Sequence, residues 1–253
     1  MTKILKRRIL LTIGYDGTSY CGWQLQSNGK SIQEAVENSI YQLTSLPTRI
    51  FGASRTDAGV HALGQRCHFD TESHIPIEKW QLALNSKLPN DIRIVKAQYV
   101  PDDFHARFDA VDKKYQYRIW NATYLHPILK NYCTHIPQHM NMKLMEEAVM
   151  SLNGTHDFAA FQASGGTAKN TIRTLHNCHL TKDGNMITLS VNGNAFLYNM
   201  VRIIAGTIIA IGQGRMNPAT FFQSYESLNR LSLGITAPAQ GLELSEIHYL
   251  KTY

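Results

Sequence analysis

Between positions 7 and 15 apolar and polar side chains alternate. Ile9, Leu11, Ile13 and Tyr15 fall on one face, and a period of two predicts a strand from Arg7 to Tyr15. From Ser31 to Ser45 the period lengthens to that of a helix. Ile32, Val36, Ile40 and Leu43 form its apolar stripe, and Ser31 with Glu34 has the spacing of a capping box. Arg49 to Ala53 and Gln65 to Phe69 read as short strands on either side of a polar loop. Pro76 suits the first position of a second helix, with Ile77, Trp80 and Leu84 on one face. Ile92 to Tyr99 is again a strand. The first half therefore runs β-α-β-β-α-β.

The second half repeats that order. Lys113 to Asn121 is a strand, and Met142 to Leu152 is a helix with Asn141 as its N-cap. Arg173 to Thr181 and Met186 to Asn192 are strands joined at Asp183-Gly184, a hairpin signal. Tyr198 to Gly212 is a helix ended by Gly212 or Gly214, Asn217-Pro218 opens a short helix, and Leu242 to Tyr249 is the last strand. The expectation is an α+β protein: two ferredoxin-like halves forming a mixed, mostly antiparallel sheet with a central cleft. The halves are residues 1–104 and 105–253, joined in the stretch Pro101 to Val111. Gly154 to Asn170, which contains Ser164-Gly165-Gly166-Thr167, reads as a mobile surface loop.

Composition changes this picture little. The 253 residues are 43% hydrophobic, and no stretch approaches the roughly 20 apolar residues of a membrane span. The basic start, Met1 to Arg8, is not followed by the apolar core of a signal peptide, so a cytoplasmic protein is expected. Cys21, Cys67, Cys133 and Cys178 are far apart and form no C-x-x-C pair, which predicts reduced thiols without a catalytic or metal-binding task. The net charge of +6 fits an anionic partner such as RNA. Its distribution is more telling. Lys3, Lys6, Arg7 and Arg8 cluster, and Lys113, Lys114 and Arg118 interleave with Tyr115 and Tyr117. Cations that hold phosphates beside rings that stack on bases suit flexible RNA, although Lys113 and Lys114 alone read rather as a solvated strand face.

Chemistry concentrates in Ser54-Arg55-Thr56-Asp57-Ala58-Gly59-Val60-His61-Ala62. Locally, Asp57 before Ala58-Gly59 is a turn-forming aspartate. It is equally a loop carboxylate held ionised beside Arg55, suited to nucleophilic attack. Spacing does not choose between these.

Longer patterns do. The run around Asp57 resembles the signature of the TruA family of tRNA pseudouridine synthases. Gly14-Tyr15-Asp16-Gly17 with Tyr20 and Gly22-Trp23-Gln24 is similar to that family's N-terminal motif. Phe104-His105-Ala106-Arg107-Phe108-Asp109-Ala110, followed by Lys114-Tyr115-Gln116-Tyr117-Arg118-Ile119, is similar to its central one. Asn194-Ala195-Phe196-Leu197-Tyr198-Asn199-Met200-Val201-Arg202 and Ala237-Pro238-Ala239-Gln240-Gly241-Leu242 complete the series. Ser54 stands where many members have glycine, and Ala239 where a second proline is common. Neither change removes a reactive group.

The resemblance implies isomerisation of uridine to pseudouridine at positions 38, 39 and 40 of the tRNA anticodon arm. It implies Asp57 as nucleophile and neither metal nor cofactor. Tyr115 is then the active-site tyrosine, stacked on the flipped uracil. Otherwise it is a core aromatic on the face of Tyr117 and Ile119. Arg202 shares an apolar helix face with Tyr198, Ala205 and Ile209, so it either snorkels to solvent or needs an anion; we expect a salt bridge to Asp57. Leu242 is expected in the apolar floor beneath Tyr115. Arg55 is expected to enter the space left by the flipped base or to contact a phosphate. His61 is read as capping the loop. Relatives of this kind act as homodimers on tRNA. The alternatives weighed are a non-catalytic tRNA-binding or chaperone protein of the same fold, and a glycosidase. The latter usually needs a second carboxylate roughly 5–9 Å from the first, and none stands out near Asp57 in sequence.

Overall fold

The computed structural model describes residues 6–27 and 29–251. The chain forms two compact units. One runs to Val111 and takes in the chain from Leu244 onward; the other is Asp112–Glu243.

In the first unit, β1 (Arg7–Tyr15) lies between β3 (His61–Thr71) and β4 (Ile92–Val100) and is antiparallel to both, with Leu11 opposite Cys67 and Ala97. The order is β4-β1-β3-β10, with β2 (Phe51–Gly52) also pairing with β3 and β10 spanning Leu242–Tyr249. A strand inserted between β3 and β4, which α2 connects, is the split β-α-β arrangement expected. Ile9, Leu11, Ile13 and Tyr15 are buried as the alternation requires. Leu10 is buried too, because this central strand has both faces covered. The helix α1 (Ile32–Thr44) starts where the Ser31 side chain accepts the Glu34 N–H at 3.2 Å. Helix α2 (Ile77–Asn85) seats Trp80 edge-on against Phe69, with ring centroids 5.3 Å apart. Pro76 sits one place before the position expected, as its N-cap residue.

The second unit has β5 (Ala110–Trp120), β9 (Met186–Gly193), β8 (Ile172–Asp183) and β7 (Gly154–Asp157) in that order, antiparallel at each pairing. A short β6 (Thr134–His135) runs parallel to β5. The opening residues of β10 flank β5 on its other side, where Arg118 pairs with buried Glu243 at 2.9 Å. The helices are α3 (Met142–Met150), capped by Asn141, α4 (Met200–Gly212) and α5 (Pro218–Ser227). The protein is thus α+β with mostly antiparallel strands, as expected.

The details differ in four places. The division falls after Val111 rather than after Phe104, and the last strand from Leu244 goes with the first unit. The cause is specific: the Ala106 N–H donates to His68 Nδ1, and the Tyr249 hydroxyl donates to the Ala106 carbonyl. Gly154 to Asn170 is not all loop. Its first residues pair with β8, and Phe158 and Phe161 are buried against Phe221 and Tyr225 of α5. β2 keeps only two of five expected residues, while β3 starts four residues early. Helix α4 begins at Met200 rather than Tyr198, because Asn199 takes a left-handed conformation at φ 58°.

Candidate active site

The loop from Ala53 to Val60 leaves β2 and enters β3, and both of its ends are tied down. The Ala53 N–H donates to the Arg66 carbonyl at 2.7 Å. Gln65, wholly buried, donates Nε2 to the Ser54 carbonyl at 2.7 Å and accepts the Ser54 N–H through Oε1. A glutamine inside an apolar strand needs such partners, which was the one sequence signal of its role. The far end closes as a turn. The Val60 N–H donates to the Asp57 carbonyl at 3.1 Å, with Gly59 at φ 78°. Positive φ at the third residue is what a type II turn demands, and Gly supplies it. Asp57 therefore has the turn role read locally, made through its backbone, and its carboxylate stands half-buried on that turn.

The N-terminal motif packs against the loop. The Trp23 N–H donates to the Thr56 carbonyl at 3.0 Å, the Gly59 N–H donates to the Tyr20 carbonyl at 3.3 Å, and Gly22 bridges to Asp57 strand-fashion. The Tyr15 and Thr56 hydroxyls share a buried hydrogen bond of 2.7 Å. Buried His61 accepts the Gly17 N–H at Nδ1, 3.1 Å away. The same nitrogen lies 3.2 Å from Asp16 Oδ1, so the ring is seated against the N-terminal motif. Arg55 is exposed. Asp57 and Arg55 thus share one braced loop.

Tyr115, Arg202 and Leu242 lie in the second unit. Tyr115 is 5% exposed on β5, on the buried face shared with Tyr117 and Ile119, and its ring meets Phe196 edge-on with centroids 5.0 Å apart. Phe196 begins the segment that leads into α4 and Arg202. It was not singled out in sequence as the partner of Tyr115, because only folding brings residues 81 positions apart together. Arg202 is half-buried. It donates Nε to the Ala237 carbonyl and Nη1 to Asn199 Oδ1, each at 2.8 Å, and its own carbonyl accepts the Ala237 N–H. The guanidinium is therefore held in place rather than extended freely into solvent. The stretch that holds it is the motif Ala237 to Leu242. There the Pro238 carbonyl accepts the Tyr117 hydroxyl at 2.8 Å, Gly241 lies against the Tyr117 ring, and Leu242 is 6% exposed.

All four cysteines are free thiols; Cys67, Cys133 and Cys178 are buried, and burial pushes the Cys178 thiol up to about 11. The basic cluster at the start, by contrast, is engaged within the chain. Arg8 forks onto Asp70, Nε to Oδ1 at 2.7 Å and Nη2 to Oδ2 at 2.9 Å, and Lys6 joins it at 3.3 Å. Arg7 donates to the Tyr99 hydroxyl at 2.8 Å. Lys3 lies outside the described residues. The reason is register: β1 and β3 place Arg8 directly opposite Asp70.

Arg8→Ala should therefore cost stability, about 1–2 kcal/mol, and leave RNA affinity unchanged, as urea titration and an RNA binding isotherm will read. The Arg8 guanidinium holds the Asp70 carboxyl below the usual carboxylate range. This contribution is present above the ordinary carboxylate pKa and fades as pH falls through the lowered value. Equal acid sensitivity of the variant and the parent would contradict it.

A family model described as tRNA pseudouridine synthase matches residues 12–109 and 148–250, which takes in every element described above that carries Asp57, Arg202 or Leu242. The chain belongs to the tRNA pseudouridine synthase family. It is 45% identical over 244 residues to tRNA pseudouridine synthase A of Ruminiclostridium cellulolyticum, covering 96% of this chain and 100% of the relative. It is 44% identical over 243 residues to the protein of that name from Thermoanaerobacter pseudethanolicus, with the same coverage. Over 247 residues it is 44% identical to tRNA pseudouridine synthase A 2 of Clostridium tetani, covering 97% of this chain and all of the relative. Membership makes the chain an isomerase that acts on tRNA. No described helix is long and apolar enough to cross a membrane.

Proposed function

We propose that this synthase converts uridine to pseudouridine at positions 38, 39 and 40 of the tRNA anticodon arm, with Asp57 as nucleophile. The net change breaks the bond from ribose C1′ to uracil N1, turns the base, and joins C1′ to C5; C5 loses its proton and N1 gains one. A carboxylate that forms a transient covalent bond splits this into easier steps. The observation that carries the reading is the bracing of Asp57. Its turn is pinned by Trp23, Tyr20, Gly22 and Gln65, and a fixed geometry is what a nucleophile requires.

The other roles follow. Tyr115 stacks on the uracil once it has left the helix, with Leu242 completing an apolar floor. Arg55 fills the space the base vacates or takes a phosphate. Arg202 serves as counter-ion to Asp57, keeping the carboxylate charged. We read the enzyme as a cytoplasmic homodimer that needs no metal or cofactor, with the nucleophile carried by the unit that runs to Val111 and the tyrosine and arginine by Asp112–Glu243.

The test is unmodified tRNA tritiated at uracil C5. Incubation with the protein alone, in the presence of a chelator, should release tritium in step with pseudouridine at positions 38–40. Binding without release from several tRNAs would leave the non-catalytic RNA-binding protein as the correct reading.

A further inference from the structure

Strand register in the second unit decides which side chains share a face. Tyr115 pairs with Val191 and Lys113 with Gly193 on β9, and Gly193 pairs in turn with Leu175 on β8. Paired residues, and residues two apart along a strand, point the same way. Arg173 is two before Leu175, so it shares the face of Tyr115, two strands across and further toward the end of the sheet. Phe196 connects the two. Its ring meets Tyr115, and its edge lies over Gly193, where an added Cβ would come within 3.3 Å of it. The next residues tie β8 to the same segment: the Asn194 N–H donates to the Thr174 carbonyl, and the Thr174 N–H donates to Asn194 Oδ1.

Arg173 is half-buried and forms no ion pair among the described residues. Its Nε is buried without a hydrogen-bond partner, and Nη1 donates to the neighbouring Ile172 carbonyl. Across from it on β7 stands His156, which stacks on Tyr225 rather than offering a negative charge. Three acidic groups of the same unit are committed elsewhere: Asp157 accepts the Ala159 N–H, Asp112 faces His176, and Glu243 faces Arg118. Burial alone lowers the pKa of Arg173, with no acid to raise it. Arg8 shows the opposite pattern, with Asp70 beside it raising its pKa. A guanidinium kept partly out of water without a counter-ion is costly. The cost is recovered where an anion arrives from outside, and the substrate is a polyanion.

We propose that Arg173 is a positioning residue for the RNA backbone, its guanidinium taking a phosphate of the strand that carries the target uridine. This rests on the reading of Tyr115 as the uracil platform. A guanidinium suits the task, since it can fork onto two phosphate oxygens.

The experiment is equilibrium binding of unmodified tRNA to the full chain as a function of salt, with Arg173→Gln and Arg173→Lys beside the parent. Arg173→Gln should weaken binding about tenfold, and the slope of log K against log salt should become shallower by about 0.7–0.9, the signature of one lost phosphate contact. Arg173→Lys should keep the slope and recover part of the affinity. A second arm replaces single phosphates near the target uridine with neutral methylphosphonates. One linkage should weaken the parent and leave Arg173→Gln unaffected. That arm needs only the parent and the lysine variant should the glutamine variant fail to fold. An unchanged slope in a folded Arg173→Gln, or a parent indifferent to every such linkage, overturns the proposal. Pseudouridine formation by the parent is scored separately, so its absence would count against the proposed function and not against the phosphate contact.

Discussion

Asp57→Asn should abolish pseudouridine formation, with single-turnover rates down by about ten-thousandfold or more, while tRNA affinity stays within about twofold. The substitution is nearly isosteric, and the Asp57 backbone, which it leaves intact, helps to hold the turn: the carbonyl accepts from Val60, and Gly22 bridges to the main chain. The fold should therefore survive, which a thermal melt will check. A base catalyst would be lost by the same change, so the pH profile carries the distinction. If Arg202 keeps Asp57 ionised, Arg202→Gln should move the acidic limb of the rate profile to higher pH. Measurable turnover by Asp57→Asn, after exclusion of deamidation, would remove Asp57 from the nucleophile's role.

Gly22→Ala should lower the rate constant about a hundredfold and destabilise the protein by about 3 kcal/mol. Gly22 sits at φ 107°, outside the range alanine adopts. A Cβ there would come within 2.5 Å of the Thr56 carbonyl oxygen and 3.1 Å of the Asp57 carbonyl carbon. Something must move, and what moves is the backbone of Thr56 and Asp57. In a protein of this size the melting temperature should fall by about 6–12 °C. A variant with parental melting temperature and rate would show that the N-terminal motif does not position the loop.

These two residues illustrate what could be read in the sequence. β1 and α1 announced themselves because local periodicity and a local cap determine them, and the structure agrees down to Ser31 accepting the Glu34 N–H. β7 and the turn Ala159–Phe161 were hidden in a stretch rich in Gly, Ser and Thr. Their order comes from Phe158 and Phe161 meeting α5 some 60 residues later, and no local pattern encodes that. The tie of Arg8 to Asp70 was not legible because Asp70 is distant in sequence; pairing of β1 with β3 makes them neighbours. In the candidate site, Asp57 was legible only through motifs spread along most of the chain. Arg202 was visible as a charge in an apolar helix, but its hold on the Ala237 carbonyl was not, since a backbone acceptor leaves no mark on composition.

The path of β10 has a consequence for synthesis. The first unit is completed by residues from Leu244 onward: Gly64 of β3 lies against the Ser245 backbone, and Tyr249 closes over Ala106. On the ribosome this unit waits with an open strand edge while the whole of Asp112–Glu243 is translated, and unprotected edges invite wrong partners. Trimming the last strand should therefore injure the amino-terminal unit that carries Asp57, and the Asp57 loop becomes properly seated only after almost the entire chain has emerged.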